Sequence, residues 1–343
     1  MKKLLFSIVI VTVAITTNAT IRTVSNATIG AGQYTTVQAA VDASVAGDTI
    51  YIHGSETNYG NVTLNKRLVL IGAGHSLTGT QFNFPTTLNL IYLSQGNSTT
   101  LPSGSTIKGI NCNGIFTTGG SLPVNNITLE RNYINSGGGL TSVLGTGWIF
   151  RNNFISYILI TNFKNIIISN NVIQYYIANS NQPSVIITNN IFLKDAYISS
   201  VSYATITNNI FINSAFANFS GTQNTYNKNI MIYADPANYQ TFPPANNTGV
   251  GNLNTIDNQF TTTIPLNISL QDATKQDWIL LATSIGYKYG TDGTDVGIYG
   301  GSYPIPNFTG APNIPQITSM DLQNSVIPQN GTLNIEFKAR GQQ

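Results

Sequence analysis

The chain is short of ionisable groups. Lys, Arg, Asp and Glu together make up 8% of its 343 residues, with two histidines and a net charge of +2. Ordinary globular proteins carry about 25% charged residues. No basic cluster exists to meet a phosphate backbone, so nucleic acid is excluded as the expected partner. There is a single cysteine, Cys112. An internal disulfide is therefore impossible, and stability must come from packing and hydrogen bonds. Cys112 lies in a strand-like stretch and reads as a buried structural thiol. Disorder is excluded too: 41% of the chain is hydrophobic, and those residues recur periodically.

The amino end carries the pattern of a secretory signal. Lys2 and Lys3 precede an apolar run from Leu4 to Ile15, and Thr17-Asn-Ala19 supplies small residues for cleavage. The run is too short for a membrane span, and no later stretch is longer. The expectation is residues 1–19 as signal peptide and a chain secreted or held at the cell surface.

What fills the chain instead is asparagine on a near-fixed period. The segments Ile127-Thr-Leu-Glu-Arg-Asn132, Trp148-Ile-Phe-Arg-Asn-Asn153, Ile166-Ile-Ile-Ser-Asn-Asn171, Val185-Ile-Ile-Thr-Asn-Asn190, Ala204-Thr-Ile-Thr-Asn-Asn209 and Asn224-Thr-Tyr-Asn-Lys-Asn229 place the last Asn 21, 18, 19, 19 and 20 residues apart. A period near 20 with a short strand on each side of a polar turn is a solenoid pattern. Stacked rungs lie about 4.8 Å apart. The column Asn132, Asn153, Asn171, Asn190, Asn209, Asn229 then forms a structural ladder, each carboxamide donating to one neighbour and accepting from the next. Two apolar columns, Leu129 to Tyr226 and Tyr133 to Ile230, are expected to point inward. A third, holding Ile149, Ile167 and Ile186, is expected to point outward, and either the tail or another protomer would cover it.

Before the repeats, Tyr34 to Ala43 reads as a short amphipathic helix, with Thr35 as cap and Gln38 completing a capping box. It would close the open end of the first coil. After them, Trp278-Ile-Leu-Leu281 and Asp295-Val-Gly-Ile-Tyr299 read as closing strands. Residues 304–343 read as a proline-rich linker and a hairpin turning at Asn330-Gly331.

The run Tyr34-Thr-Thr-Val-Gln-Ala-Ala-Val-Asp, Ala46-Gly-Asp-Thr-Ile-Tyr-Ile and Leu70-Ile-Gly-Ala-Gly74, followed by the Asn-turn coils, resembles the right-handed parallel β-helix proteins of the pectate-lyase-like group, exported bacterial type. The resemblance implies an all-β fold: a right-handed parallel β-helix over residues 20–303 with an amino-terminal capping helix. It also implies activity on acidic polysaccharides, with catalytic residues on the strand before the Asn turn. Lyases of the group use Lys or Arg beside bound calcium, and hydrolases use clustered Asp.

Here that preceding strand carries no charged residue. It is read from Leu140-Thr-Ser-Val143, Ile158-Leu-Ile160, Tyr175-Tyr-Ile177, Ala196-Tyr-Ile198 and Ala217-Asn-Phe219. No catalytic set is assigned. An enzyme would have to recruit Lys194, Asp195, Glu130 or Arg131, or residues of the stretch 236–300. Glu130 and Arg151 occupy one column and read as a surface ion pair. Asp292 and Asp295 read as turn caps, with a calcium loop as the alternative; no cofactor is otherwise expected. His53 and His75 read as surface or turn residues. Tyr176 and Tyr197 alternate with Ile177 and Ile198, which turns both rings outward in neighbouring coils, where they suit a sugar ring. Three readings stay open: a non-catalytic scaffold binding polysaccharide or a cell-surface partner along one flank, a polysaccharide lyase or glycoside hydrolase, and a structural or adhesive surface protein.

Overall fold

The computed structural model describes residues 19–27, 32–76, 84–95, 100–117, 122–135, 138–139, 145–161, 163–180, 184–212, 219–239, 241–306, 309–311, 316–322 and 329–340. The signal-like segment, Leu140 to Val143 and the prolines 312 and 315 lie outside them. The fold is an all-β parallel solenoid. Eleven strands stack into a first sheet, from Ile21–Val24 through Thr128–Glu130, Ile149–Arg151 and Ile166–Ser169 to Thr248–Val250. A second sheet stacks the strands that follow each turn, among them Asn111–Thr117, Tyr133–Ile134, Phe154–Leu159, Val172–Ser180 and Ile230–Ile232. All pairings within both sheets are parallel and join consecutive coils, as at Ile149↔Thr128 and Ile149↔Ile167.

Each Asn pair divides its labour at the corner between the sheets. The first position adopts φ between +51° and +58° at Arg131, Asn152, Asn170, Asn189, Asn208 and Lys228. Asn tolerates this left-handed conformation better than most residues, which explains its recurrence there. The second Asn turns inward and is fully buried. Asn171 shows the pattern: Nδ2 donates to Asn190 Oδ1 at 3.0 Å and to Phe150 O at 2.9 Å. Its Oδ1 accepts from the backbone N–H and Nδ2 of Asn153, both at 2.9 Å. The ladder runs unbroken from Asn132 to Asn229 and gains one further rung at Asn252, which accepts from Asn229.

The interior is lined by Leu129, Phe150, Ile168, Ile187, Ile206 and Tyr226 from the first sheet and Ile155, Ile173, Phe192 and Phe211 from the second. Helix Val37–Ala43 closes one end with Val37, Ala40 and Val41. Its cap is Thr36, not Thr35: the Thr36 hydroxyl accepts from Ala39 N at 3.2 Å. Gln38 makes no capping box and instead accepts from Thr63 N at 2.8 Å. Near the other end, Phe242 meets the Tyr226 ring edge-on at 4.9 Å.

The column Tyr133, Phe154, Val172, Ile191, Ile210, Ile230 does not face inward. It lies on the outside of the second sheet, in a separate apolar cluster with Phe260, Ile264, Leu270, Trp278, Val296 and Ile298. Residues 256–306 and 309–311 supply that cover. They are not closing strands; Phe260 and Leu280 share only an isolated antiparallel bridge. They form a strap that returns along the solenoid axis, and the first residue of each Asn pair holds it. Lys228 Nζ donates to Gly290 O, and Asn208 exchanges hydrogen bonds with Thr291. Asn170 Nδ2 donates to Ile298 O and Gly300 O, Asn152 Nδ2 to Tyr303 O, and Arg131 Nη1 to Ala311 O. The tail thus covers the second sheet and leaves Ile167 and Ile186 of the first sheet exposed. Beyond it, Gln316–Leu322 pairs antiparallel with Ile335–Arg340.

Candidate functional site

The outer face of the second sheet, beside the strap, brings together aromatic and neutral polar side chains. Ile158, Ile177 and Ile198 are wholly buried. Strand alternation therefore turns their neighbours Tyr157, Tyr176 and Tyr197 outward, in register across three coils. The three rings stack at centroid distances of 5.1 and 5.6 Å, with planes inclined 21° and 29°. Partial burial, then the neighbouring Tyr157 and Tyr197, pushes the Tyr176 hydroxyl above its ordinary pKa. It stays neutral, a donor and acceptor at physiological pH. Tyr176 and Tyr197 were legible in the sequence; Tyr157 was missed. Its signal was present: Tyr157-Ile158 repeats the dipeptide Tyr176-Ile177. A register shift hid it, since Ile155 faces Ile173 while Tyr157 faces Tyr176. The extra residue makes a bulge there, and the Tyr175 ring is half exposed.

Next to the stack runs a groove between the sheet and the short helix Leu270–Ala273 of the strap. One cavity of about 350 Å³ is lined by Asn111, Asn113, Tyr133 and Asn135 on the sheet and Gln271 and Lys275 on the strap. A second, of about 280 Å³, continues it past Ser156, Gln174 and Tyr175 and shares Tyr133, Asn135 and Gln271. Among the described residues no carboxylate lines either, and Asp272 at the rim bonds Lys275 and Ser269.

The candidate catalytic residues are employed elsewhere. Glu130 Oε2 bonds Arg151 Nη2 at 3.0 Å and Oε1 lies 3.3 Å from Arg131 Nε. Arg151 also covers the Tyr303 ring at 4.7 Å. This group is more than a surface ion pair, because both arginines fasten the strap. Lys194 and Asp195 sit in a turn two residues longer than its neighbour, with Nζ and Oδ2 3.8 Å apart and both side chains largely exposed. An exposed pair of this kind contributes under about 1 kcal/mol. Asp292 Oδ1 accepts from Thr294 N and Oγ1, and Asp295 Oδ1 from Lys288 N. Both carboxylates thus serve as turn caps. Among the described residues no three His, Cys, Asp or Glu side chains cluster as metal ligands would. Cys112 is buried, which pushes its thiol up to about 12.

His75 is not the surface residue its position suggested. It is 6% exposed, pressed between Gly310 of the strap and the rings of Tyr133 and Phe154. Gly310 has φ +70°, and a Cβ there would collide with the imidazole. Burial lowers the His75 pKa to about 3. The unfolded chain protonates near pH 6.5 and the folded one only near pH 3. His75 therefore leaves stability whole above about pH 6.5 and removes it as pH falls between those values. At about 1.4 kcal/mol per unit, the loss by pH 3 is on the order of 4 kcal/mol. Urea titrations at stepped pH should show this slope in the natural chain and a much shallower one in His75→Gln; equal slopes would refute it.

The chain matches no protein-family model and no curated protein. Among the described residues no helix is long and apolar enough to cross a membrane.

Proposed function

We propose that the chain is an exported right-handed β-helix of the pectate-lyase-like type that binds polysaccharide along the tyrosine-bearing flank without cleaving it. The observation carrying this reading is the Tyr157–Tyr176–Tyr197 stack, on strands whose described residues bear no ionised side chain. Tyrosine presents an apolar ring face and a polar edge, the complement of a pyranose. Glycoside cleavage needs a carboxylic acid paired with a base or nucleophile. The nearest acid to the stack along the chain, Asp195, is in an exposed ion pair. Glu130 is committed to Arg131 and Arg151, the solenoid arginines that fasten the strap.

Affinity electrophoresis in polysaccharide-containing gels tests this. Tyr176→Ala should weaken retardation roughly tenfold, as expected for about 1 to 1.5 kcal/mol of lost ring contact. Its melting temperature should stay close to that of the natural chain. Robust turnover of a uronic-acid polymer, with or without calcium, would overturn the non-catalytic reading. A second reading, self-association through the first sheet, rests on the exposed Ile167 and Ile186. Mass that rises with concentration, and ceases to in Ile167→Thr, would support it.

A further inference from the structure

The groove beside the strap has a composition that narrows what it can hold. We infer that it is a binding site for an uncharged, hydroxyl-rich glycan chain lying along the solenoid axis, with the strap helix as its second wall. This deepens the polysaccharide-binding reading and rests on it.

The sheet side of the groove is a row of neutral side chains at equivalent places in successive coils. Asn113, Asn135, Ser156 and Gln174 directly follow Cys112, Ile134, Ile155 and Ile173, which pair with one another in register. Thr87, Asn111 and Tyr133 form a parallel row two residues earlier. From Thr87 to Gln174 the lining spans five rungs, or roughly 19 Å at the usual strand spacing. That is room for several sugar rings rather than one. Ser156 Oγ is bonded to Gln174 Oε1 at 3.2 Å. The carboxamides of Asn111, Asn113 and Asn135 make no hydrogen bond among the described residues. A carboxamide offers donors and an acceptor on one plane. It can therefore meet adjacent sugar hydroxyls, which also donate and accept.

Two other ligand classes fit poorly. A divalent cation wants six to eight oxygens including carboxylates; among the described residues no acid lines the groove, and the lone carboxylate of Asp272 at its rim is bonded to Lys275 and Ser269. A polyuronate wants unpaired cations. Lys275 is the one lysine among the described residues of the groove, and its Nζ is bonded to Asp272 Oδ1 at 3.0 Å. His75 lines the wall but remains neutral above about pH 3 and is buried against Gly310. A neutral polyol needs neither charge. Its recognition should therefore be insensitive to salt, unlike that of a polyanion.

The test is calorimetric titration of the full chain with cellohexaose, xylohexaose and mannohexaose, against hexagalacturonate, at low and high salt. The expected result is saturable binding of at least one neutral hexasaccharide, unchanged by salt. Asn135→Ala with Gln174→Ala should weaken it about tenfold through the loss of two or more hydrogen bonds. Circular dichroism should show the solenoid of that variant intact. Preferential, salt-sensitive binding of hexagalacturonate would overturn the inference. So would a groove variant that binds like the natural chain while Tyr176→Ala loses binding, an outcome that leaves the broader reading standing. Binding of none of the four sugars would sink both.

Discussion

A chain ending at Lys288 will not accumulate as soluble protein. The residues removed include Val296, Ile298 and Ile305, which cover the outer apolar column of the second sheet. Phe154, Val172, Ile191 and Ile210 are wholly buried in the intact chain. Burying one such side chain contributes about 1.5–3 kcal/mol, so uncovering even part of the column removes on the order of 5–10 kcal/mol. That equals the whole net stability of a typical domain, about 5–15 kcal/mol. The bared row would also offer a long apolar surface to other chains. Because a truncated chain can fail for several reasons, Ile298→Asp in the full chain is the sharper probe. It places a carboxylate in the cluster while keeping every strap hydrogen bond donated by Asn170, Asn189 and Asn208. Expression at reduced temperature followed by size-exclusion chromatography should show aggregation or loss in both. Monodisperse, cooperatively melting protein from both would show that the strap is dispensable.

Asn171→Ala should cost roughly 3–5 kcal/mol, read from urea denaturation. The substitution strands the backbone N–H and the side-chain amide of Asn153, both of which donate to Asn171 Oδ1. It also removes the donor to Phe150 O and Ser169 O. Each buried polar group left without a partner costs about 1–3 kcal/mol. Replacement by Leu fills the space but leaves the same donors stranded, so it should not rescue. The comparison that isolates the ladder is Asn252→Ala. Asn252 ends the column among the described residues, accepts from the backbone N–H and Nδ2 of Asn229 and donates to Tyr226 O, but it is only partly buried, so water can replace part of what its loss removes. Its loss should cost about 1 kcal/mol. Equal costs at Asn171 and Asn252 would mean that burial does not set the worth of these hydrogen bonds.

The solenoid and its inward ladder were legible because periodicity survives in the sequence wherever one coil stacks on the next. Asn252 escaped because residues 236–247 break the period just before it. The side on which Phe154, Val172 and Ile191 are buried was not legible. Apolarity reports burial but not direction, and the cover comes from a segment some 100 residues away in the chain. For the same reason the sequence does not show what the first residue of each pair binds. Most of its partners are backbone carbonyls of the strap, such as Gly290, Ile298, Tyr303 and Ala311, which no pattern of side chains reveals. The tyrosine stack was two-thirds visible, since a bulge displaced Tyr157 from its column. The groove was not visible at all, because half of it belongs to the strap.

A bare solenoid is held coil to neighbouring coil, so its parts can loosen one at a time from either end. Here a single return segment is stitched to rungs from Arg131 to Lys228. Distant coils therefore share one fate, and melting should be a single event along the rod. Tension applied at the carboxy terminus would part those stitches in sequence, from Ala311 towards Gly290, before any rung felt the load. The molecule would yield as a zipper while its rod stayed whole.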